Sequence, residues 1–172
     1  MTVFSIDPEI ESLAQRITSR IYCHDEANEI STENHRVSTN IITVPINLDL
    51  YLKDCNMTLK YVKFKNPKII SLYNPKKRLL LISNDEFNNV YYAMYQLSHY
   101  YLQIPLHPII RDEVCHHEIG SNKILSLSLA LLMPKETTIL LSSLCNDISR
   151  IAYKFNVGPP FLRMRLVSLK II

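Results

Sequence analysis

Tyr92-Ala93-Met94-Tyr95-Gln96-Leu97-Ser98-His99-Tyr100-Tyr101-Leu102 reads as an amphipathic helix, capped by Asn84 or Asp85 and running to about Gln103. Val90, Met94, Leu97 and Tyr101 make its core stripe. At about 100° per residue, Tyr95 and His99 share the opposite face. Upstream, Thr58 to Phe64 alternates at period two, and Lys68–Tyr73 and Arg78–Ser83 give two more strands around an Asn74-Pro75-Lys76-Lys77 turn. These three are expected to form a small antiparallel sheet. Its lysines, Lys60, Lys63, Lys65, Lys76 and Lys77, read as a solvated, edge-protecting face, with a nucleic-acid patch as the sharper alternative.

Downstream, Pro105 and Pro108 forbid helix, so residues 104–119 are expected to be loop. Ser121 to Met133 is apolar nearly all round and predicts a buried helix, ended by Pro134, which can open the next. The remainder to Ile172 reads as two or three helices, with Asn156-Val157-Gly158-Pro159-Pro160 as the turn before the last. At the other end, Asp7-Pro8-Glu9 supplies a cap, a first-turn proline and an acid. Ile10, Leu13, Ala14, Ile17 and Ile21 then predict a helix over 8–23. Residues 24–41 are polar and read as a long loop, and Asn47 caps a short helix with Leu48 and Leu52 inward. No internal repeat or linker divides the chain. One domain over residues 1–172 is expected, with helix and loop over 1–44 leading into a core over 45–172.

Composition narrows the function class. A net charge of +3 with 20% charged residues does not by itself indicate nucleic acid. The amphipathic N-terminus is not a signal peptide. The longest apolar run, Ile124 to Met133, falls short of the about 20 residues that a bilayer span requires. A soluble, cytoplasmic protein without membrane contact is the expectation. Cys23, Cys55, Cys115 and Cys145 contain no CxxC pair and read as free thiols.

The Tyr95/His99 face carries the chemistry. An i, i+4 pair on one face is how an HExxH helix offers two zinc ligands, with a glutamate general base after the first. Here the pair is Tyr and His, and the base position holds Gln96. The wider order gives this meaning: Pro45-Ile46-Asn47-Leu48-Asp49, a hairpin ending Leu80-Leu81-Ile82-Ser83-Asn84, then Gln96-Leu97-Ser98-His99-Tyr100-Tyr101-Leu102. Ala130-Leu131-Leu132-Met133-Pro134 follows, then Ile151-Ala152-Tyr153-Lys154-Phe155-Asn156-Val157-Gly158 and Arg163-Met164-Arg165-Leu166-Val167-Ser168-Leu169.

From about Pro45 to the C-terminus this order resembles the ImmA/IrrE family of zinc metallopeptidases, the Leu-Leu-Met-Pro segment in register being its most specific match. The resemblance implies an α+β, zincin-like domain with a mainly helical C-terminal half. It also implies a cytoplasmic setting, often that of prophages and mobile elements, and action with or on helix-turn-helix repressors. Carried over residue by residue, the first ligand becomes Tyr95, the base Gln96, the small residue Ser98 and the third ligand Lys123, while His99 survives as the second ligand. One ligand of three remains, against the three protein ligands that catalytic zinc keeps. The resemblance therefore implies a vestigial site with no catalytic residue, no metal and no cofactor. The Lys123 ammonium is expected either in the vacated metal position, among Tyr95, Gln96 and His99, or snorkelling to solvent with tyrosine rings filling that position.

Three functions compete. One is a pseudopeptidase that binds a protein partner, a repressor or host regulator, without cutting it. The second is an active hydrolase with a relocated metal site on Cys115-His116-His117-Glu118, using His99. The third is a DNA-binding regulator using the C-terminal helices from Asp147 to Leu169, with Arg163, Arg165 and Lys170 facing the duplex.

Overall fold

The computed structural model describes residues 4–29, 45–86, 88–111 and 121–172, with side chains except at 23–29 and 121–122. The element order is α1 (Pro8–Glu29), α2 (Leu48–Asp54), β1 (Thr58–Val62), β2 (Ile69–Asn74), β3 (Leu79–Ser83), α3 (Asn89–Tyr101), β4 (Ile109–Ile110), α4 (Ser121–Leu132), α5 (Lys135–Leu144), α6 (Ile148–Phe155) and α7 (Pro159–Ser168). The class is α+β, with a small sheet and a helical C-terminal half.

The sheet is mixed, not antiparallel. Its order is β1-β3-β2-β4: β1 runs parallel to β3, while β2 is antiparallel to both β3 and β4. Alternation marks a strand but not its partner. The better sign lay in Leu79-Leu80-Leu81-Ile82, whose continuous apolarity suits a central strand covered on both faces. Leu80 and Ile82 are buried against Ala93 of α3, which lays that helix across the sheet. The expected lysine face holds: Lys60, Lys63, Lys65, Lys76 and Lys77 are all exposed.

α1 continues to Glu29, beyond the expected end at 23, and buries Ile10, Ala14, Ile17 and Ile21. Most of the expected 24–41 loop lies outside the described residues. α3 starts at Asn89, later than the expected cap at Asn84 or Asp85, and its N-cap Asn88 makes no side-chain capping bond. α2 and α6 begin as capping chemistry dictates, Asn47 accepting from Asp49 N–H at 3.1 Å and Asp147 from Ser149 and Arg150. Asn156 closes α6 in the left-handed region, at φ 56°, and turns the chain into α7.

The main core gathers α1, α2, α3, α4, α6 and α7 around Met94, Leu97, Leu127, Leu131, Phe155 and Leu162. α4 lies between α1 and α3 and is buried almost throughout from Ile124. Among the described residues, no single helix is long and apolar enough to cross a membrane. Cys55 and Cys145 are free thiols, and burial pushes the Cys55 thiol up to about 11. Cys115 and the Cys23 side chain lie outside the described residues.

Candidate functional site

α3 crosses β2 so that Gln96 points at the sheet, fully buried. Its Nε2 donates to Ser71 Oγ at 2.7 Å and to the His107 carbonyl at 2.7 Å. A carbonyl oxygen can only accept, so the amide orientation is fixed: nitrogen faces His107, and Oε1 faces away. That Oε1 is buried without a hydrogen-bond partner. Leaving a buried acceptor unmade costs about 1–3 kcal/mol. An amide has no useful proton affinity near neutral pH, so Gln96 cannot serve as a general base.

His99 is 7% exposed, and its Nδ1 lies 3.0 Å from the Pro105 carbonyl. The acceptor fixes one proton: Nδ1 carries a hydrogen. This is how a ligating histidine is oriented, by a backbone carbonyl on its other nitrogen. Around His99 stand the Tyr95 ring, edge-on with centroids 5.3 Å apart, and the His107 ring at 6.4 Å. Burial pushes the Tyr95 phenol up, so it stays protonated and is a poor stand-in for an imidazole ligand. Ser98 serves the helix packing. Its Oγ donates to the Met94 carbonyl at 2.9 Å and lies 3.0 Å from Ser128 Oγ of α4, a pair small enough to let the two helices close.

Lys123 does not hydrogen-bond to Gln96. It is exposed in the first turn of α4, and Gln96 Oε1, the acceptor it would use, has no donor. The physical reason is solvation: a lysine stem can lie along apolar surface while its ammonium stays in water, whereas burying the charge beside an imidazole is costly. Gln96 and His99 are met instead by the chain's own residues 104–111, through the His107 and Pro105 carbonyls.

Among the described residues, no group of three or more His, Cys, Asp or Glu side chains is placed to hold a metal ion. The relocated site on Cys115, His116, His117 and Glu118 lies outside the described residues.

The C-terminal helices do not present the basic face expected for DNA. Arg165 is wholly buried. Its Nε donates to the Met133 carbonyl at 2.8 Å, and its Nη1 and Nη2 donate to Glu11 Oε2 and Oε1 at 2.6 and 2.7 Å. This bidentate pair ties α1 to α7 over the end of α4. Lys170 lies past the end of α7, leaving Arg163 as the exposed member of the three on the helix. A guanidinium already forked onto a carboxylate is not available to a phosphate.

Three participants were not identifiable from sequence: Ser71 and the carbonyls of Pro105 and His107. No local pattern marks them. The one available sign was indirect: a glutamine on a buried helix must find partners, and the strand and the loop beside it supply them.

No known family profile matches the chain, and no curated protein matches it. A solved structure of a Mycobacterium tuberculosis transcriptional regulator has a similar fold, with a TM-score of 0.58 at 13% identity, over 94% of this chain and 47% of that one. At that identity the likeness speaks to the fold alone, and this chain spans about half the length of that regulator.

Proposed function

We propose that the chain is a non-catalytic relative of the ImmA/IrrE metallopeptidases, with a zincin-like domain, acting as a protein-binding regulatory module of prophage or mobile-element type. The observation that carries this reading is Gln96. At the general-base position stands a buried amide that spends its nitrogen on Ser71 and on the chain's own backbone. Tyr95 and Lys123 at two ligand positions support it, one a protonated phenol and the other an exposed cation. The partner by analogy is a helix-turn-helix repressor or another regulatory protein. The regulator named above is a fold neighbour that is compatible with this class and adds no residue-level support.

The DNA-reading alternative loses its main residue to the Arg165–Glu11 pair. The hydrolase alternative rests on Cys115 to Glu118 and on no described observation.

Two experiments test the proposal. Tyr95→His, Gln96→Glu and Lys123→Glu together are expected to create zinc affinity, because they return two ligands and a base around His99. A folded triple variant that binds no more zinc than the parent contradicts the assigned register. Affinity capture from the native host, followed by re-binding of the purified partner, is expected to give a stable complex with the partner uncut. Cleavage of the partner overturns the non-catalytic reading.

A further inference from the structure

We propose that residues 104–111 are a built-in occupant of a backbone-binding groove floored by Ser71, Gln96 and His99, and that this strap closes the groove to any other peptide in the resting chain. This goes beyond the pseudopeptidase reading and does not depend on it, since it stands on the hydrogen bonds that hold residues 104–111.

The bonding has the form of peptide recognition. Gln103, at φ 56°, reverses the chain at the end of α3, and Ile104 N–H donates to the His99 carbonyl at 2.9 Å. His99 Nδ1 then holds the Pro105 carbonyl and Gln96 Nε2 the His107 carbonyl. These carbonyls are two residues apart, the spacing at which an extended chain points successive groups to one side. Beyond them Ile109 pairs with Ser71 and Ile110 with Ile69 of β2, antiparallel, and Arg111 N–H donates to the Lys68 carbonyl at 2.8 Å. The Arg111 guanidinium pairs with Glu86 at the far end. Side chains add little, since Ile109 alone is buried and the others are half-buried or exposed. Main-chain bonds to a sheet edge plus a few polar contacts are how sheets add a foreign strand. Here the strand belongs to the chain itself.

The fit is incomplete in an informative way. In an extended strand, the N–H and C=O of one residue face the same neighbour. A glutamine amide can therefore engage both, yet Gln96 takes only the His107 carbonyl and leaves Oε1 unpaired. Pro105 and Pro108 bring no N–H at all. An occupant with an unused acceptor and two missing donors is held largely because it is tethered, which gives it a high effective concentration.

The test is to replace residues 104–111 in the full chain with a Gly/Ser linker of equal length. Binding of the labelled octapeptide Ile-Pro-Leu-His-Pro-Ile-Ile-Arg is then measured by fluorescence polarisation. The strapless chain is expected to bind it saturably, at least about tenfold more tightly than the parent chain does, and His99→Ala in the strapless chain is expected to weaken binding by about tenfold. A folded strapless chain that binds the octapeptide no better than the parent overturns the proposal. Should that chain fail to fold, hydrogen exchange decides on the intact protein. Gln96→Met and His99→Ala are expected to speed exchange at Ile109, Ile110 and Arg111 while α4 amides are unchanged. Unchanged strap exchange, or equal acceleration in α4, overturns it.

Discussion

Arg165 and Gln96 are both fully buried polar side chains, and the fold treats them in opposite ways. Arg165, under α1 and α4, has a carbonyl on Nε and a carboxylate on both terminal nitrogens. Gln96, between α3 and β2, has its nitrogen satisfied and its oxygen orphaned. A buried polar network that is fully paired fixes a structure, whereas a half-paired one marks a place where the sequence is serving something other than stability, or once did. The α1–α7 junction is therefore a staple, while the α3–β2 contact leaves one buried acceptor unmade.

The largest expected effect tests the staple. Glu11→Ala leaves the Arg165 charge buried and unpaired, and is expected to cost about 3–5 kcal/mol in urea unfolding. A loss near that of an exposed ion pair would mean that Arg165 can reach solvent, and the contrast with Gln96 would fail.

Gln96→Met is next. It removes two hydrogen bonds but also removes an unmade acceptor, so the net loss is expected to be about 1 kcal/mol. A loss as large as that of Glu11→Ala would show the Oε1 to be satisfied, and the groove would belong with the staple.

The smallest effect concerns Lys123. An exposed lysine in the first turn of α4 opposes the helix dipole, so Lys123→Glu alone is expected to raise stability by about 0.3–1 kcal/mol. A measurable loss of stability would restore the idea that its ammonium fills the metal position.

The same contrast explains what could be read from the sequence. The helices followed from periodicity and from signals such as the Asn47 cap and the Pro134 break, because these signals are local. The candidate helix was also legible, and Tyr95, Gln96 and His99 lie on it within one turn and a half. The sheet order was not, because β1 pairs with β3 across an intervening hairpin. The strap was missed because two prolines and a two-residue strand carry no period, and its holders are side chains of another element. Arg165 entered the sequence reading only as one of three bases of a possible DNA reader, since its partner Glu11 lies at the opposite end of the chain and no local pattern joins them.

The central claim, that the Tyr95, Gln96, His99 and Lys123 set is a metal site that no longer works, is tested most directly by the zinc content of protein purified without chelator, with peptidase activity measured on the same sample. The account predicts zinc far below one per chain and no cleavage. Near-stoichiometric zinc that disappears in His99→Ala, together with activity, would contradict it.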